Sequence, residues 1–181
     1  MADILEHHGA DTSLTDAETT LAQIADETLP MGTYIDPAKL PAAVRDIVRT
    51  ILHLPGKLDH VKRLVAVGAE YDRPDSEGLT PVQVAGWEGL PDVLAYLLSQ
   101  KPDLSHVNGY GGTLLSTIIH GSTNNPNRED RDYIGCLELA LKAGVALPRR
   151  SVQVAGDPHV AAHLADWAET YPGQVVEHGI V

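Results

Sequence analysis

A chain of 181 residues with 43% hydrophobic content is long enough to build one continuous core and excludes a disordered tail. Thirteen basic against twenty-five acidic residues leave a net charge of −12, a field that repels phosphate backbones, argues against nucleic-acid binding and favours basic partners. Aromatic residues make up only 4% and Phe is absent, so Leu, Val, Ile and Ala must fill the core, which favours closely packed helices.

Cys136 is the single cysteine, so no internal disulfide forms and a reducing, cytoplasmic setting is expected. The first residues, Met-Ala-Asp-Ile-Leu-Glu-His-His, are acidic where a signal peptide is basic. No run reaches the ~18 apolar residues that span a bilayer.

A repeat organises the chain. Asp75-Ser-Glu-Gly-Leu-Thr-Pro-Val-Gln-Val-Ala85 is followed by Asn108-Gly-Tyr-Gly-Gly-Thr-Leu-Leu-Ser-Thr-Ile118, with thirty-three residues from Gly78 to Gly111 and from Thr80 to Thr113. The Gly68-Ala69 step recurs in register as Lys101-Pro102. The Thr-Pro step suits a helix start, because Pro fits the first turn and the Thr hydroxyl caps free amides. The glycines before it supply turns with positive φ.

These residues resemble the ankyrin repeat, whose unit reads roughly D-x-x-G-x-T-P-L-H-x-A-A-x-x-G before a second helix ending L-L-x-x-G-A. The likeness is close over residues 56–144 and weaker outside. It implies an all-α solenoid of paired antiparallel helices with short β-hairpin fingers. On that register, residues 1–11 form a partial unit ending at Gly9-Ala10. A unit at 12–72 carries a first helix at Thr19–Ala25 and an insertion at 26–55. In that insertion Asp36-Pro37 starts a helix bearing Leu40, Val44, Ile47, Val48, Ile51 and Leu52. A unit follows at 73–105. The unit at 106–147 is interrupted around Ser122–Arg131 by a polar, turn-rich insertion, expected to be a mobile loop open to proteolysis near Arg128 or Arg131. Residues 148–181 close the chain as a cap, since Ser151-Val-Gln-Val-Ala-Gly156 echoes Pro81–Gly86 while His163, Asp166 and Trp167 stand at core positions.

Candidate chemistry falls away on inspection. Residues 108–113 are rich in glycine, yet no Gly-Lys-Ser/Thr follows and no strand precedes them, so a phosphate loop is not expected. His159, His163 and Asp166 share a helical face, but Val160 stands where H-E-x-x-H has Glu. Adjacent His7 and His8 diverge by about 100° on a helix and do not chelate together. Cys136 aligns with Val93, which predicts a buried, inert thiol. No catalytic set, metal site or cofactor is expected.

The resemblance instead implies a monomeric protein–protein interaction scaffold that binds through a concave face and finger tips. Its variable positions fall on Ser76, Glu77, Leu79, Trp87 and Glu88, and then on Gly109, Tyr110, Gly112, His120 and Gly121. Trp87, Tyr110 and His120 are therefore expected to form an aromatic centre with a charged rim of Asp75, Glu77 and Glu88. Two alternatives are an inhibitor or immunity-type protein masking a basic toxin or enzyme, and a metal-dependent enzyme using the insertions as a lid.

Overall fold

The computed structural model describes residues 13–25, 28, 33, 34, 36–39, 48, 51, 52 and 56–177. The partial unit at 1–11 and most of the insertion at 26–55, including Leu40, Val44 and Ile47, lie outside the described residues. Of the expected insertion helix, residues 48 and 51 are helical, and Val48 and Leu52 are buried.

The described chain is mostly helical. Its helices are α1 (Asp16–Ala25), α2 (Leu58–Ala66), α3 (Pro81–Trp87), α4 (Pro91–Ser99), α5 (Leu114–Asn124), α6 (Tyr133–Lys142), α7 (Arg149–Val154) and α8 (Pro158–Thr170). Helices α2, α4, α6 and α8 pack side by side in sequence, while α3 and α5 lie on α4 and α6 and against each other. Apolar residues at helical spacing drive this arrangement. Val93, Leu94 and Leu97 of α4 meet Cys136, Leu137, Ala140 and Leu141 of α6 in one core, each buried Leu contributing roughly 2 kcal/mol by area. Helix α3 is buried over six of its seven residues, which requires small side chains at its contacts. A Cβ on Gly86 would stand 2.7 Å from Ile118 Cγ1 of α5, so glycine sets that close approach.

The turns ahead of α3 and α5 repeat atom for atom. The Asp75 carboxylate accepts from the Glu77 and Leu79 amides at 2.9 and 2.8 Å. Thirty-three residues on, Asn108 Oδ1 accepts from Tyr110 and Gly112 at 3.0 and 2.9 Å. Both turns are completed by a glycine in the left-handed region, Gly78 at φ 76° and Gly111 at φ 79°. These tips fold as side-chain-capped turns without strands, each closed by one backbone bond, Asp75 N to Leu79 O at 3.0 Å and Asn108 N to Gly112 O at 2.9 Å. The strand pair among the described residues is instead parallel, between β1 (Leu147–Pro148) and β2 (Val175–Val176).

Helix starts follow the same pattern with one difference. Thr113 Oγ1 accepts from the Ser116 amide at 3.3 Å, as its type predicts. At Thr80 it is Gln83 that acts, accepting from the Thr80 amide at 3.2 Å and donating to Gly112 O at 3.1 Å. Gln83 thereby ties α3 to the following turn.

At the end of the chain Trp167 belongs to the core, at 9% exposure, and is not part of a polar outer face. Its Nε1 donates to Gln174 Oε1 at 3.0 Å, and Gln174 Nε2 donates to Leu141 O and Val145 O, both at 2.7 Å. One side chain thus pins the returning segment to the end of α6. Gln174→Ala should lower stability by about 1–3 kcal/mol, read as a fall in the urea midpoint, because it leaves the indole N–H without its acceptor and takes a donor from each carbonyl, of which Leu141 O keeps the Gly144 amide.

Candidate functional site

A groove of about 750 Å³ runs along one side of α3 and α5. Three levels of the chain line it: Asp75, Glu77, Leu79, Val84 and Trp87 from the first, Asn108, Tyr110, Ile119 and His120 from the second, and Val154 with Gly156 from the third. Trp87, Tyr110, His120, Glu77 and Leu79 therefore meet in one concavity. Ser76 is exposed on the turn but does not line it.

The Trp87 and His120 rings lie 5.3 Å apart at 37°, a tilted pair at the helix end of the groove. Asn124 Nδ2 donates to His120 Nδ1 and to His120 O, both at 3.0 Å, fixing the imidazole. Tyr110 projects at the finger end, 72% exposed. Its phenol is pushed above the usual range, first by its hydrogen bond to the Glu77 carboxylate, then by desolvation and by the charges of Glu77 and Asp75.

Glu88 departs from expectation. It is 5% exposed and forms no rim. Its carboxylate accepts from Asn125 Nδ2 at 3.2 Å and stands 3.6 Å from Arg131 Nη2, with both charged side chains buried. The reason lies in the insertion that interrupts the second level. Asn125 also donates to Trp87 O at 3.1 Å, and the Tyr133 hydroxyl donates to the same carbonyl at 3.0 Å. Burial, followed by the Glu88 charge, raises the Tyr133 pKa to about 12, so the phenol remains a donor. The Asp132 amide donates to Gly89 O at 3.1 Å. Together these groups hold the end of α3 that carries Trp87.

The insertion is accordingly docked through buried Ser122 and Asn125 and half-buried Arg131, while residues 123, 124 and 126–130 are exposed. Trypsin should cut after exposed Arg128 and spare Arg131, whose side chain is 6% exposed. Fragments from limited digestion, weighed by mass spectrometry, check this; equal cutting at both would show that the ion pair does not persist.

Of the expected variable binding positions, Gly109 is exposed and Gly121 is buried, and both lie against backbone of another segment. Gly109 N donates to Glu77 O at 2.7 Å, and a Cβ there would stand 2.5 Å from that oxygen. A Cβ on Gly121 would meet Trp87 O at 2.5 Å. Gly112 does line the groove. Sequence reasoning missed Thr123, Asn124 and Val154 as lining residues, although Val154 stands where the echo of Pro81–Gly86 places Val84, itself a lining residue.

Cys136 is fully buried, and desolvation first, then Asp132 and Asp92, push its thiol pKa far up, so it is a poor nucleophile. No group of three or more His, Cys, Asp or Glu suited to a metal occurs among the described residues. None of the described helices is long and apolar enough to cross a membrane.

The helical architecture has a counterpart among solved structures. A chain from the complex of a predatory endopeptidase of Bdellovibrio bacteriovorus with an immunity protein superposes with a TM-score of 0.51 at 22% identity, over 68% of this chain and 64% of that one, a likeness of fold. In sequence, the chain is similar to protein phosphatase 1 regulatory subunit 27 of Homo sapiens, 40% identical over 86 residues, covering 48% of this chain and 49% of the relative. The Mus musculus protein of the same description is 40% identical over 66 residues, covering 36% of this chain and 42% of the relative. The chain thus spans about half or less of the length of these curated relatives. No family model matches it.

Proposed function

We propose that this chain is an ankyrin-repeat module that binds a partner protein in the groove and at its finger tips, as a monomer and without catalysing a reaction. The observation that carries the reading is the convergence of Trp87, Tyr110 and His120 on one groove whose walls come from successive levels of the chain. Trp and Tyr are enriched at binding hot spots because they bury a large area at small entropic cost. The turns that repeat at thirty-three residues, each capped by Asp75 or Asn108, support the repeat assignment. A relative described as a phosphatase regulatory subunit supports a role exerted through another protein. A reducing, cytoplasmic setting fits the single buried thiol.

The charge favours a second form of the same reading, an inhibitor that masks a basic enzyme or toxin. No Lys or Arg among the described residues lines the groove, and the whole chain carries −12. Such a field speeds the approach of a basic partner more than it adds affinity. Glu77→Lys should therefore slow association and flatten its salt dependence, with a smaller change in dissociation.

The test is affinity capture from lysate of the source cell. Immobilised wild-type protein should retain a partner that a Tyr110→Ser/Val154→Ser protein, altered only at exposed side chains, fails to retain. Equal retention would place binding elsewhere on the molecule.

A further inference from the structure

We propose that Asn108 is a self-modification site, an asparagine that reacts with water to give aspartate or isoaspartate, and that the stacking of the two finger turns holds this reaction off. Four asparagines occur in the chain, and Asn108 is the one followed by glycine; Asn124, Asn125 and Asn127 precede Asn125, Pro126 and Arg128. Conversion begins when the amide nitrogen of the next residue attacks the side-chain carbonyl carbon. Glycine leaves that nitrogen unhindered and its backbone free to turn toward the side chain, whereas Pro126 has no N–H to lose. At Asn108 the Gly109 nitrogen gives up its proton and bonds to Cγ, the Cγ–Nδ2 bond breaks, and Nδ2 leaves with that proton as ammonia. The cyclic imide then takes up water. Opening at Cγ gives aspartate, and opening at the main-chain carbonyl gives isoaspartate, with the chain rerouted through the former side chain.

The folded chain blocks each requirement. The Gly109 N–H donates to Glu77 O of the preceding turn at 2.7 Å, so the proton it must lose is already bonded. The side chain under attack is equally committed. Its Oδ1 accepts from the Tyr110 and Gly112 amides at 3.0 and 2.9 Å, and its Nδ2 donates to Thr117 Oγ1 at 3.4 Å. Asn108 is also buried, which limits the access of water. Reaction therefore needs the second turn to lift from the first in a local opening. The two products differ in what they leave behind. Aspartate suits the site, because the Asp75 carboxylate makes the same pair of bonds one repeat earlier. Isoaspartate does not, since an added main-chain carbon shifts the nitrogen that holds Glu77 O. Asn108 lines the groove, so either product adds a carboxylate to its wall.

Incubation of the full chain at neutral pH, native and in urea, tests the proposal, with peptide mapping that separates aspartyl from isoaspartyl products. In urea Asn108 should convert faster than the other three asparagines. In the native protein it should convert at least about tenfold more slowly than in urea. Gly78→Ala disturbs the stacking, because its Cβ would stand 2.8 Å from Gly109 N and crowd that nitrogen off Glu77 O. The folded variant should convert about threefold or more faster than native wild type. A urea series below the unfolding midpoint gives the same reading without a substitution, since conversion should rise in step with hydrogen exchange of the Gly109 amide. Asn108 converting no faster than Asn124 in urea would overturn the site. Equal rates in native and unfolded chains would overturn its protection by the fold. Conversion that ignores both Gly78→Ala and the exchange of the Gly109 amide would overturn the part assigned to stacking.

Discussion

Arg131→Met should destabilise the protein by about 2–3 kcal/mol, a large effect for a residue in an interrupting loop. Removing one member of a buried ion pair typically costs about 3–5 kcal/mol, because the other charge stays desolvated without its counterion. The lower figure applies because Asn125 continues to donate to Glu88. Adding Glu88→Gln to Arg131→Met should recover at least about 1 kcal/mol, since the double variant leaves no unpaired charge inside. Urea denaturation of the two single variants and the double checks the coupling. Strictly additive losses would mean that the 3.6 Å pair contributes nothing as a pair.

Trp87→Ala should weaken partner binding by about 2 kcal/mol or more while lowering stability by only about 1–2 kcal/mol. The fold should survive because the structural grip on this residue is on its backbone. Asn125 and Tyr133 both hold the Trp87 carbonyl, which alanine retains. What alanine loses is the ring that stacks on His120 and floors the groove. If Trp87 were mainly a packing residue, the order would reverse, with a large fall in melting temperature and normal affinity in the molecules that remain folded. Melting temperature and affinity measured on the same preparation separate the two.

Much of the helical layout was legible because it repeats. The thirty-three-residue spacing placed the turns at Asp75 and Asn108 and the helices behind them, and with the insertion allowed for it put Cys136 in the core as Val93 is. It also placed Trp87, Tyr110 and His120 together, and all three line one groove. What repetition does not encode was misread. Glu88 pairs with groups from the insertion, and nothing local in a single sequence links a glutamate to an asparagine 37 residues away or to Arg131 beyond it. The same insertion was read as mobile because it lacks apolar residues, yet buried polar pairing anchors it. Gly121, taken for a surface position, is buried, and Gly109 is exposed but admits no larger side chain. Their need for glycine comes from backbone approaching from another level, a constraint visible only in three dimensions.

Amide hydrogen exchange with and without saturating partner bears most directly on the groove as the binding face. Binding in the groove predicts added protection at residues 75–79, 108–112 and 120–124, with α4, α6 and α8 unchanged on their outer sides. Protection confined to α4, α6 and α8, with the two turns and the end of α5 exchanging as in the free protein, would contradict it.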